Sequence, residues 1–215
     1  MEVTTPIVIM FAASFYLIAA LTLTAFVKIT VVLLLLRNAI GIQQVPSGII
    51  VMTLALFLSA FISLPVFTES AQTIVNSNLE FKNIQELISL FSTIAEPFQR
   101  FIKANIDPRH LTFFVGVSNE LWKGSALTAS ENNIFVQVPA FMISELTRGF
   151  EIGFTIYLPF IAIDLAVTTI LMALGMQAVQ PNTIAAPFKL LLFVFIDGWS
   201  KLVEGLLMSY QYVQH

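Results

Sequence analysis

The chain has 215 residues, of which 57% are hydrophobic and 11% charged, with a formal net charge of −3. An average soluble domain carries roughly 25% charged residues, so this chain lacks the polar side chains to clothe a water-facing surface of its size. The acidic balance gives no basic footprint for nucleic acid, and the absence of Cys removes disulfides, thiol nucleophiles and thiolate metal sites.

A mean hydropathy of +0.87 points to an integral membrane protein, and the length fits one membrane domain with one small polar insertion. The opening MEVTTPIVIM has no basic n-region and carries Glu2, so a cleavable signal peptide is not expected. Residues 6–27 contain no charge and meet the ~20 residues that a bilayer requires. Lys28 interrupts the run, ITVVLLLL resumes it, and Arg37 ends it. Gly41, Pro46 and Gly48 then punctuate a polar turn, and 49–68 is again uncharged. Residues 1–68 therefore predict an apolar helical hairpin. Arg37, a positive charge in a short turn, assigns that turn to the cytoplasm and the following insertion to the far side.

Residues 69–133 carry seven acids and five bases and predict a polar helical insertion. Phe81, Ile84, Leu87, Ile88, Phe91, Ile94, Phe98 and Phe101 recur at amphipathic-helix spacing. Pro97 lacks a backbone donor, which predicts two helices meeting near Glu96, the second opened by Pro97. A short helix is expected from Pro108 to Val117, then a loop over SNELWKGSALTASENN. Residues 134–215 predict a second apolar hairpin with the uncharged turn GMQAVQPNT, and 187–207 form its last apolar segment.

Enzyme motifs such as HExxH, GxSxG, GxGxxG and a P-loop are missing, and His110 and His215 have no partner at ligand spacing, so both are expected at the surface. No catalytic or metal site and no cofactor is expected. The charges inside the apolar runs are more informative. Glu145, Arg148 and Glu151 stand three apart and meet on a helix face. Gly149 and Gly153 form GxxxG beside them, which admits close approach of a second backbone and suggests subunit or helix docking. Asp197 and Lys201 are spaced to neutralise each other locally. Lys28, Asp164 and Lys189 have no such neighbour. A carboxylate at the centre of a membrane helix costs roughly 2.5–3.5 kcal/mol, so each must find a partner on another segment, on another copy or in water. A buried pair that sets register and a proton or ion relay both satisfy this demand.

VPAFMISELTRGFEIGF (138–154) followed by YLPFIAIDLAVTTILMALGM (157–176) resembles the two signature blocks of the P subunit of the flagellar export gate, FliP, and its counterpart, the R subunit of virulence type III secretion systems. APFKLLLFVFIDGW, EPFQRFI and the stretch 26–67 continue the match in order, and only about 103–133 lacks one. The resemblance implies an all-α integral membrane protein of helical hairpins that assembles as an export-gate oligomer in the bacterial inner membrane, with the virulence branch favoured. It implies no enzymatic activity and no cofactor. Its implied partners are copies of itself, with a pentamer expected, the small Q/S-type and the R/T-type gate subunits, and unfolded secreted proteins in transit. It also implies that Asp164 faces protein. Members of the family carry consecutive methionines that help close the pore; here only Met176 matches. A proton- or ion-coupled transporter using Asp164 and Lys189 is the alternative, although the two related halves usual in transporters are missing.

Overall fold

The computed structural model describes residues 24–41, 46–76, 84–125, 127–176 and 178–211, without the side chains of 73–76 and 84–91. Among the described residues there are seven helices and no strand. They are α1 (Phe26–Ile40), α2 (Gly48–Asn76), α3 (Ile84–Asn105), α4 (Pro108–Leu121), α5 (Ile134–Ala173), α6 (Pro181–Phe195) and α7 (Gly198–Met208). The all-α expectation holds. Most of the first apolar run, and the stripe residues Phe81 to Phe91, lie outside the described side chains. Among the described residues two helices are long and apolar enough to cross a membrane, Gly48–Gln72 within α2 and α5 itself. At ~1.5 Å per residue, the 40 residues of α5 reach about twice the ~30 Å of a hydrocarbon core.

Three boundaries differ from expectation. Pro97 opens no second helix; α3 runs through it as one element. A proline inside a helix costs ~3 kcal/mol. Burial offsets that cost here, because Ile94, Phe98, Phe101 and Ile102 are all buried and Phe67 meets Phe98 edge-on at 5.2 Å. In addition, the Ser70 hydroxyl donates to the Ile94 carbonyl one turn before Phe98 at 3.1 Å. The helix after Pro108 extends to Leu121, four residues beyond Val117. Its start is set locally: Asp107 accepts from the Arg109 N–H at 2.9 Å and Pro108 opens the first turn. The last apolar segment is two helices, because Asp197 adopts a left-handed backbone with φ 52° between α6 and α7. Gly198 follows it, and a Cβ there would lie 2.2 Å from the Phe193 ring.

The chain divides into two compact units. Unit 1 comprises 1–27, 58–146 and 210–215, and its core holds Ile62, Val66, Phe98, Phe101, Val136 and Phe141. Unit 2 comprises 28–57 and 147–209, and its core holds Ile29, Val32, Leu36, Phe160, Ala185 and Phe193. In unit 2 the rings of Phe160 and Phe193 lie 6.4 Å apart, and Trp199 meets Phe193 edge-on at 5.3 Å.

Candidate functional site

Three helices of unit 2 converge on Lys189. Pro181 opens α6, and Lys189 lies about two turns in, on the buried face with Ala185 and Phe193. Its Nζ lies 2.7 Å from Asp164 Oδ2 on α5. It also donates to the Ala39 carbonyl at 3.1 Å. Ala39 is in the last turn of α1, where carbonyls lack helical partners and the helix dipole favours a cation. Gly41 ends that helix with φ +74°, a conformation that glycine adopts without strain. A Cβ on Gly41 would lie 2.9 Å from Asn182 Oδ1 and 3.4 Å from Lys189 Nζ. The Asn182 amide donates to the Gly41 carbonyl at 3.2 Å, so α6 holds the α1 terminus at two points. The pair is asymmetric: the Lys189 side chain is 3% exposed and that of Asp164 is 40% exposed.

The GxxxG seam is filled from within the chain. A Cβ on Gly149 would lie 3.3 Å from Val31 and 3.4 Å from the Lys28 Cα, and one on Gly153 would lie 2.3 Å from Leu35 Cδ1. Both contacts advance by four residues in the same direction, so α1 and α5 run parallel along this seam. Of the two docking modes that the motif allows, this structure shows a helix contact inside one chain. Lys28 is wholly buried at its start.

The remaining charges are dispersed. Glu145 belongs to unit 1, where it is buried and accepts from the Tyr210 hydroxyl. Arg148 is half-buried and Glu151 is exposed. Asp197 and Lys201 form no ion pair, in contrast to their spacing. The left-handed backbone places Asp197 outside the helical register on which an i, i+4 pair depends, and its Oδ1 accepts from Ser200 Oγ at 2.9 Å. Met176 follows a helix-ending turn in which Gly175 has φ +71°, Met176 N–H donates to Leu171 O at 2.9 Å and Gly175 N–H donates to Met172 O at 3.0 Å. Met172, Leu174 and Met176 are all exposed around that turn. His110 is half-buried rather than superficial, with Nδ1 2.9 Å from Ser144 Oγ. Ser144 donates its own proton to Ala140 O at 2.7 Å and so receives the imidazole N–H.

Sequence reasoning missed Tyr210 and Asn182, and read Gly41 only as a turn residue. Their contacts span 65 to 185 positions, and no local period signals them. What the site can do is mechanical: it fixes the α1 terminus, α5 and α6 to one ammonium. Among the described residues no group of three His, Asp or Glu could hold a metal ion.

A sequence profile described as "FliP family" matches residues 9–206. The chain is 44% identical to "Yop proteins translocation protein R" of Yersinia pestis over 87% of both chains. It is 45% identical to "Harpin secretion protein HrpW" of Pseudomonas syringae pv. syringae over 87% of this chain and 90% of that protein. It is 42% identical to "Flagellar biosynthetic protein FliP" of Caulobacter vibrioides over 87% of this chain and 69% of that protein.

Proposed function

This chain belongs to the FliP family and is a component of the type III secretion export apparatus of the inner membrane, and from that premise we propose that it is a non-enzymatic structural subunit of the export gate. Copies of it, five in number, join the small Q/S-type and the R/T-type subunits to form the entry channel for unfolded proteins. Its apolar segments run as hairpins 1–68 and 134–215, and the polar segment 69–133 faces the periplasm. Met176 contributes to the seal of the resting pore. The transporter alternative has no support among the relatives, whose names are those of translocation, secretion and flagellar proteins.

The observation that carries the reading is unpartnered apolar surface. Phe57 and Phe61 on α2, Phe150 and Phe154 on α5, and Leu191 and Phe195 on α6 are all exposed. Such area on a secretion component fits contact with neighbouring subunits and lipid. Native mass spectrometry of the detergent-extracted complex, with and without the partner subunits, tests it. The expected result is a discrete complex holding five copies. A species of one or two copies that still supports secretion in a complemented deletion strain overturns it.

A further inference from the structure

The chain leaves α7 at Met208, and Tyr210 is buried in unit 1. Its ring stacks on Phe101 at 5.9 Å with planes 17° apart, and Phe101 in turn meets Phe141 edge-on at 6.0 Å. The Tyr210 hydroxyl donates to Glu145 Oε2, and its oxygen lies 3.2 Å from the Ala25 carbonyl oxygen. Glu145 is wholly buried, so the hydroxyl reaches a carboxylate that water does not.

The next residue is held by its main chain. Gln211 N–H donates to Asn105 Oδ1 at 3.1 Å, and Asn105 Nδ2 donates to the Gln211 carbonyl at 3.0 Å. The same Nδ2 donates to the Phe101 carbonyl at 2.8 Å, which fixes the amide in place at the end of α3. A side-chain amide presents the donor and acceptor of a peptide group, so Asn105 pairs with Gln211 as a neighbouring strand does. That pairing reads backbone and register but not the side chain at 211. Selectivity comes from the preceding residue, which must offer both a ring to Phe101 and a hydroxyl to Glu145.

We propose that the end of α3, the first half of α5 and the Thr24–Ala25 turn form a peptide-capture site in unit 1. Its ligand is a tyrosine followed by a free, non-helical peptide unit. The chain's own Tyr210–Gln211 occupies it as a strap that closes this unit. The groups that hold the strap lie 65, 106 and 185 residues before it, so the unit closes only after α5, α6 and α7 have been made.

The chain has no Cys, so a single spin label at Gln211→Cys reports the strap in the full-length protein. The label is expected to be immobilised, and to become mobile in both Tyr210→Ala and Asn105→Ala. Tyr210→Phe keeps the stack and loses the hydroxyl, and is expected between the two extremes. In a chain terminated after Met208, the synthetic peptide SYQYV is expected to bind, and the same peptide with its first tyrosine replaced by alanine to bind about tenfold more weakly. A label equally immobilised in all three variants overturns the proposal, as does peptide binding indifferent to that tyrosine. Immobilisation that disappears on dilution to single chains would assign the strap to a second copy and overturn the intrachain closure. If the terminated chain does not fold, the label in the full chain decides.

Discussion

Lys189 has almost no access to water, whereas its partner Asp164 keeps part of its carboxylate in contact with the surroundings. That difference predicts unequal mutants. Removing one member of a buried pair costs roughly 3–5 kcal/mol because the survivor stays unpaired, and partial exposure of the survivor reduces the cost. Asp164→Asn strands a buried ammonium with Ala39 O as its remaining partner at this site, so it is expected to lower assembly yield more than Lys189→Met does. The double variant is expected to recover part of the loss. Oligomer yield and secretion measured in both singles and the double decide; secretion abolished at full assembly, with no recovery in the double, would favour a relay. A second residue gives a pH prediction. The Arg109 side chain and backbone N–H both donate to Asp107, and they hold its carboxyl well below the usual carboxylate range. A carboxyl depressed on folding contributes stability above its unfolded pKa and loses it as pH falls toward the folded value. Asp107→Ala is therefore expected to lower the melting temperature at neutral pH and to converge with the parent in strong acid. A constant gap across that range would sink the assignment.

At the scale of elements, glycine is needed where helices approach closely and where the backbone turns left-handed, as at Gly41 and Gly175, but not at an open helical position. A Cβ on Gly153 would lie 2.3 Å from Leu35 Cδ1 and 3.1 Å from Leu35 Cβ, so Leu35 would have to shift, while at Gly116 on α4 a Cβ would meet nothing within 4 Å. Overpacking a close contact typically costs ~1–3 kcal/mol, and Gly→Ala at an open helical position gains ~0.4–1 kcal/mol. Gly153→Leu is thus expected to loosen the α1–α5 seam inside the isolated chain, and Gly116→Ala to stabilise it slightly. Chemical denaturation of detergent-solubilised single chains reads both. If Gly153→Leu left that stability unchanged and weakened only the large complex, the seam would have to lie between copies.

At the scale of the whole molecule, large apolar side chains lie exposed along α2, α5 and α6, the surface that the proposed gate would cover. Phe154→Ser and Phe188→Ser, both at exposed positions, are expected to change single-chain stability by no more than about 0.5 kcal/mol while weakening the large complex on native gels. Loss of single-chain stability by several times that amount would show that these faces are packed within one chain.

Composition and periodicity by themselves determined the helical class and the apolar helices, because hydrophobic runs and turn residues are local properties; the family was legible from the resemblance of residues 138–154 and 157–176 to two signature blocks. The helix start at Asp107-Pro108 was legible because it too is local: its capping hydrogen bond joins residues two positions apart. The demand that Asp164 and Lys189 find distant partners was legible too, since neither has an opposite charge within a turn, but only packing chose which residues meet. Tertiary structure also decided that α3 continues through Pro97, where buried Phe98 and Ile102 outweigh a lost backbone bond. It decided that Asp197 stands left-handed at the start of α7 and accepts from Ser200 Oγ instead of pairing with Lys201. It placed Glu145 with Tyr210 and Lys189 with Ala39, contacts over 65 and 150 residues that depend on how helices pack and on no local spacing.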